Sequence, residues 1–208
     1  MVEMKSDSRE FSFIFPNVRW DGHFDVGFYS VIGQPFKGGE DAETRIGDNA
    51  VIRSHSVIYA GNRIGRNFQT GHGVMIRELN QIGDNVSIGT HSIVEHHVVI
   101  GNGVRIHSNV FIPEYCILED ECWIGPAVVM TNAPYPRSKN VKETLKGAVI
   151  EKGAKIGAAA VLLPGVRIGR GALIGSGAVV TRDVQENEVV VGNPSRVINH
   201  ITNIEDYQ

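Results

Sequence analysis

The sequence predicts an all-β chain wound as a parallel β-helix of triangular, 18-residue coils. Three observations carry this reading. Aliphatic residues return at every sixth position over most of the chain. The fourth position after each is small or apolar at most repeats, as at Ala50, Ser56, Val74, Val86 and Ala154. And 24 glycines accompany an aromatic content of only 7% in 208 residues, the composition of a thin core with many tight turns.

The repeat is read first because missing it would misassign the whole fold. Counting by six from Ile46 passes through Ile52, Ile58, Ile64, Thr70, Ile76, Ile82, Ile88, Val94, Ile100, Ile106, Ile112, Leu118, Ile124 and Met130. Thr70 alone is not aliphatic. The count lapses after Thr131 and restarts two residues out of phase at Ile150, running through Ile156, Leu162, Ile168, Ile174 and Val180. Period six matches neither the 3.6-residue turn of a helix nor long alternating strands. It matches very short strands joined by sharp corners, three to a coil, with coils stacked at the ~4.8 Å spacing of paired strands. Each inward aliphatic then touches its equivalents above and below, and its full burial is worth roughly 1.5–3 kcal/mol.

Along the chain, residues 1–25 lack the repeat and carry Phe11, Phe13, Phe15 and Trp20, which marks them as an N-terminal cap over the open end of the solenoid. The β-helix is expected over 26–198, starting with weak repeat positions at Val26 and Ile32 and a polar insertion, QPFKGGEDAET. Residues 131–149 leave the prism as a loop, since Pro134 and Pro136 cannot donate ladder hydrogen bonds. Long loops on rigid scaffolds commonly carry function. The end, 199–208, is expected as a short helix or tail.

Composition removes several classes of function. No apolar stretch approaches the ~20 residues of a membrane-spanning helix, so no membrane partner is expected. A net charge of −3 without a long basic run argues against nucleic acid. The polar start, MVEMKSDSRE, is unlike a secretion signal, so a cytoplasmic location is expected. Cys116 and Cys122 supply neither a disulfide framework nor a four-ligand zinc site. Both fall on the small fourth position, where free cysteine packs as an apolar filler.

The six-residue pattern resembles that of the hexapeptide-repeat acyltransferases over roughly residues 44–198. The resemblance implies a left-handed parallel β-helix, a homotrimer, and active sites in clefts between neighbouring prisms. Within the superfamily, Trp123-Ile124-Gly125-Pro126, Thr131-Asn132, Tyr135-Pro136-Arg137-Ser138 and Gly153-Ala154-Lys155-Ile156-Gly157 resemble the N-acetyltransferases of nucleotide-linked amino sugars. Gly175 to Val184 and Val191-Gly192-Asn193-Pro194-Ser195-Arg196 look like the coenzyme A end of the family. What this implies is acetyl-CoA-dependent transfer to the amine of a UDP- or dTDP-linked amino sugar, in surface polysaccharide biosynthesis, with no metal.

Acyl transfer needs a nucleophile, a slot for pantetheine and donors for the developing oxyanion. Gly157, Ala159 and Ser176 would let the cofactor approach the backbone closely, and Arg182 and Arg196, beside Pro194, suit its phosphates. Acetylation of a sugar hydroxyl calls for a histidine base, yet the loop contains no histidine, whereas an amine attacks a thioester with less help. The resemblance makes Asn132 the leading active-site residue, orienting the amine. It gives substrate contacts to Tyr135 and Arg137 of the loop. Grouping repeats by threes aligns His55, His72, His91 and His107, and this face is expected to bring His72, His107, Asn109 and Glu78 to the substrate, with His72 as fallback base. Three alternatives stand beside this reading: a sugar O-acetyltransferase with a histidine base, a zinc enzyme like the gamma-class carbonic anhydrases using His55, His91 and His96, and a non-enzymatic scaffold.

Overall fold

The computed structural model describes residues 11–207. They wind into a three-sided parallel β-helix. The first coil is β1 (Phe13–Ile14), β2 (Val18–Trp20) and β3 (Phe24–Val26); the second is β4 (Val31–Gln34), β5 (Thr44–Ile46) and β6 (Ala50–Ile52). Every third strand stacks on the same side, giving face A from β1 and β4 upward, face B from β2 and β5, and face C from β3 and β6. Strand partners lie one full coil apart in register, as Ile76 beneath Val94 and Ile88 beneath Ile106.

The sixth-position aliphatics point inward and are buried from Ile46 to Val180. Thr70 keeps the same slot by accepting a hydrogen bond on Oγ1 from the Arg53 backbone N–H at 2.9 Å. The fourth position is less uniform than a small-residue rule implies. It holds Phe68, fully buried, and two buried asparagines. Asn62 accepts on Oδ1 from Asn80 N at 2.9 Å, and Asn80 from Val98 N at 2.7 Å, so the amides continue the interstrand ladder.

Corners are made by one residue in the left-handed region per repeat. From Asn49 through His55, Asn67, His91, His97 and Asn109 to Ala127, every sixth residue has a φ between 56° and 79°. A non-glycine residue there costs roughly 1–2 kcal/mol, least for asparagine. The histidine periodicity read from the sequence is thus partly a corner periodicity: His55 and His91 are corner residues whose side chains project outward.

The structure revises the ends. Residues 11–25 of the expected cap run as the first coil of the prism, with Phe13 paired to Val31, Trp20 to Ile46 and Val26 to Ile52. At the other end Arg196–His200 forms an antiparallel strand on Glu188–Val191, followed by two single 3₁₀ turns, Ile201–Asn203 and Glu205–Tyr207. Residues 1–10 and Gln208 lie outside the described residues. Two excursions leave the stack. Residues 35–43 separate β4 from β5, and residues 131–148 separate Val129–Met130 from Val149–Ile150. Both depart from the corner between faces A and B. Across the second, Leu118 pairs with Ile150 although the whole loop lies between them, and the inward phase resumes intact.

Cys116 and Cys122 are buried fillers, and burial pushes both thiols up to about 12. Both should therefore resist a thiol-specific reagent in the native protein and react fully on denaturation. Truncating a central inward residue, Ile106→Ala, should cost about 2–5 kcal/mol in denaturant unfolding, because neighbouring coils cannot close the cavity.

Candidate functional site

Asn132 ends face A just before the second excursion. It is buried, although it opens a loop. Its backbone carbonyl accepts from Lys146 N at 2.8 Å, which ties the neck of the loop shut. Its side chain donates through Nδ2 to Glu114 Oε2 at 2.7 Å and lies 3.4 Å from Glu114 O. An ionised carboxylate only accepts, so this bond fixes which way the amide faces. Asn132 Oδ1 is left as an acceptor.

Beneath Glu114 stands His96, with Nε2 3.7 Å from Glu114 Oε1. His96 and His97 bring their Nδ1 atoms to 2.8 Å, and both rings meet Tyr115 at 5.8–5.9 Å between centroids. One coil lower is Glu78. Glu78, His96, Glu114 and Asn132 each lie one coil above the last, so they form one vertical column up the A–B corner, ~14 Å tall at the strand spacing. Burial is the largest single influence and acts to raise the Glu78 carboxyl, but the bonds from Arg77 at 2.9 and 3.0 Å, a backbone hydrogen bond and the Arg77 charge together hold the group below its ordinary value. Arg77 also reaches Glu95 at 3.2 Å and lies 5.0 Å from the centre of the Tyr59 ring. Beside Asn132 an apolar groove of about 410 Å³ runs over face A, lined by Phe111, Val129, Pro134 and Leu163. A larger one, about 540 Å³, lies on face B around Arg45, Arg63 and Gln81.

The structure distributes the expected residues over different corners. His72, His107 and Asn109 follow face C strands and stand at the C–A corner, whereas Glu78 follows a face A strand and stands in the column of Asn132. Glu78 is therefore not part of the His72 group, because each six-residue repeat turns the chain by a full side of the triangle. His72 is exposed and hydrogen-bonded through Nδ1 to Ser54 Oγ at 2.8 Å. The histidines of the zinc alternative are likewise split, His55 and His91 at the C–A corner and His96 at the A–B corner. Among the described residues no group of three or more His, Cys, Asp or Glu side chains is placed to hold a metal ion. Tyr135, 77% exposed, and Arg137 are exposed on the loop, and neither lines the groove beside Asn132.

Gly157, Ala159 and Ser176 do line one corner, C–A, on adjacent coils. Gly157 is also demanded by packing, since a Cβ there would lie 2.5 Å from Ser176 N. Arg182 is exposed past the last face A strand. Arg196 donates to Ser195 O at 2.9 Å, next to the cis Asn193–Pro194 bond. Sequence reasoning missed Glu114 and took His96 only as a zinc ligand. The signal was present: 96, 114 and 132 differ by one coil each.

The six-repeat model of the bacterial transferase hexapeptide family matches two stretches of repeats, residues 81–114 and 147–182, about a third of the chain. With them the fold is the left-handed parallel β-helix. By fold the chain is similar to UDP-N-acetylglucosamine acyltransferase from Campylobacter jejuni, with a TM-score of 0.56, 19% identity, and coverage of 90% of this chain and 74% of that one. The Arabidopsis UDP-N-acetylglucosamine acyltransferase gives 0.53 at 19% identity, over 93% and 74%. In sequence it is 41% identical over 58 residues to a 2,3,4,5-tetrahydropyridine-2,6-dicarboxylate N-acetyltransferase of Staphylococcus aureus strain JH9. That match spans 28% of this chain and 24% of the relative, so only about a quarter of the curated relative is shared. No helix of the described residues is long and apolar enough to cross a membrane.

The Glu78 carboxyl is depressed in the fold, so its contribution to stability is present above the unfolded value, about 4.3, and is lost as pH falls through the folded value. Glu78→Gln should flatten the fall in melting temperature between about pH 5 and 3, with little change at pH 7 beyond the loss of the Arg77 pair; thermal unfolding across that range checks it.

Proposed function

We propose that the chain is an acetyl-CoA-dependent N-acetyltransferase acting on the amine of a nucleotide-linked amino sugar, of the UDP- or dTDP-linked kind used in surface polysaccharide biosynthesis, in the cytoplasm. The observation that carries the reading is the pinned amide of Asn132. Its Nδ2 is spent on Glu114, which leaves Oδ1 as the free acceptor of a residue that lines the face A groove. A site built this way receives a hydrogen-bond donor, and an amine N–H meets it. The amine nitrogen attacks the thioester carbonyl carbon, the C–S bond breaks, and the leaving thiolate takes the proton lost by nitrogen. Asn132 orients the nitrogen lone pair toward the carbonyl; Glu114 is a positioning residue. The apolar groove suits the pantetheine arm, and Gly157, Ala159, Ser176, Arg182, Pro194 and Arg196 are the residues proposed to hold the rest of the coenzyme. Tyr135 and Arg137, exposed on the loop, are proposed to close over the sugar or a neighbouring copy.

A homotrimer belongs to the same reading. Outward positions on face A are apolar through seven successive coils: Val57, Met75, Ile93, Phe111, Val129, Val161 and Val179. A continuous apolar stripe of that length on a rigid face supports burial against another copy. Sedimentation should give three times the 22.7 kDa chain mass, and Ile93→Glu should dissociate it; a monomeric wild type would remove this part.

One observation favours a second reading. Glu114 also stands beside His96, and a carboxylate-paired imidazole suits the general base that a hydroxyl acceptor needs. Thiol release from acetyl-CoA across UDP- and dTDP-linked amino sugars and their hydroxyl counterparts separates the two. Amine acceptors should react, Asn132→Ala should lower kcat/KM by about 10²-fold or more, and His72→Ala should lower it far less. Activity confined to hydroxyl acceptors and abolished by His96→Asn would establish the second reading instead, and absence of acyl-CoA binding would return the chain to a scaffold.

A further inference from the structure

Face C carries a polar groove, of about 330 Å³, between the coils of Thr70 and Ile106. Arg53 and Arg105 stand at its two ends, with Gln69, Ser87, Thr90 and His107 between them. No carboxylate lines it. Nor, among the described residues, does either guanidinium make an ion pair, unlike Arg45, Arg66, Arg77 and Arg167. Arg53 is aimed up the groove by Nη1 donating to Thr70 O at 2.8 Å. Arg105 is held by Nε donating to His107 Nε2 at 3.3 Å, which leaves its terminal NH₂ groups available. That bond also requires an unprotonated Nε2, and burial followed by the Arg105 charge lowers His107 accordingly. Directly in register with Arg105 on the next coil is Trp123, 37% exposed, its ring 4.6 Å from that of His107. Two unpaired guanidinium groups, hydroxyls, an amide and an exposed indole on one face are complementary to phosphoryl groups joined to an aromatic base.

We propose that this groove binds a nucleoside diphosphate, with phosphoryl oxygens on Arg53 and Arg105 and the base against Trp123. The proposal deepens the reading above and rests on it for the ligand's origin. A nucleotide sugar and the adenosine diphosphate portion of coenzyme A share this chemistry. The groove lies on face C and Asn132 at the A–B corner, so the ligand's reacting end would meet the Asn132 column of an adjoining copy.

The test uses the intact protein and needs no turnover, so it fails separately from the acetyl-transfer reading. Trp20 and Trp123 are the two tryptophans of the chain. Titration with UDP, dTDP or adenosine 3′,5′-diphosphate should quench tryptophan emission saturably. The quench should persist in Trp20→Phe and vanish in Trp123→Phe. Arg53→Ala and Arg105→Ala should each weaken binding about tenfold or more, Arg105→Lys should restore part of it, and Arg45→Ala on face B should leave it unchanged. These arginines are exposed, and unchanged melting temperatures would separate lost binding from lost fold. Preference for UDP or dTDP assigns the groove to the acceptor, and preference for the adenosine compound to the coenzyme. Wild-type affinity in both arginine variants, inorganic phosphate binding as tightly as the nucleotides, or no binding of any nucleotide overturns the proposal.

Discussion

The buried stack permits one vertical relation between coils, and the surface inherits it. An inward aliphatic fits only over another inward aliphatic, so each coil must return to the same phase after three repeats, or after three repeats and a loop that rejoins in register. Leu118 beneath Ile150 obeys this across the second excursion as strictly as Ile76 beneath Val94 does without one. Consequently any two surface residues one coil apart face each other at about the strand spacing of ~4.8 Å. A linear sequence becomes a set of columns, and the chemistry of each column is decided by what recurs from coil to coil.

Columns in this protein differ in kind. At the B–C corner Asn49, Asn67 and Asn85 pass one amide bond upward from each to the next, at 2.9 and 2.8 Å. That is a self-satisfied ladder which stiffens the corner and offers little to a ligand. The A–B column instead alternates, with Glu78, His96, Glu114 and Asn132 presenting carboxylate, imidazole, carboxylate and amide. Like charges stacked at adjacent strands repel, and the alternation avoids this. One coil above Asn132 the column continues with Pro164, which has no N–H to donate, so the Asn132 acceptor finds no partner on that rung. Unused hydrogen-bonding capacity is thereby left at Asn132, beside the loop.

The core was legible because its signal is local and repeated: each inward residue from Ile46 to Val180 is visible by counting six. The first coil was less so. Ile14, Trp20, Val26 and Ile32 do keep the same count, as their pairing partners confirm. But the slot of Ile46 is taken one coil earlier by Trp20, which lies at the open end and is 41% exposed, so the aliphatic rhythm fades where burial does. The site was half legible. Asn132 stood out through the resemblance of its Thr-Asn motif, but the partner that fixes its amide sits a whole coil back, in an unremarkable Pro-Glu-Tyr stretch. Counting by six finds strands; only counting coil by coil finds neighbours. Glu78 shows the converse error, since its apparent kinship with His72, one repeat before it, places it on the wrong corner.

Both excursions leave from the A–B corner, and this has a thermodynamic logic. The inter-coil backbone bonds at this corner are long, Leu79 N to Ala60 O and His97 N to Glu78 O both at 3.4 Å against 2.9 Å for Asn67 N to Asp48 O and His91 N to His72 O at the other corners, so a loop inserted there gives up little, provided the strands on either side resume their register. The backbone bond from Lys146 N to Asn132 O closes the second excursion at its base, so the loop's conformational freedom is confined above the neck. Loop-closure entropy grows only slowly with length, about 0.6 kcal/mol per doubling. The residues beyond the neck, Tyr135 and Arg137 among them, are thereby uncoupled from the stability of the prism. Asn132 and Glu114 are not, since both are anchored to coils whose positions the aliphatic stack dictates. Under the proposed function, the rigid part of the site would serve the chemistry and the adjustable part the recognition of what is brought to it, a division set by where a solenoid can be interrupted without loss of register.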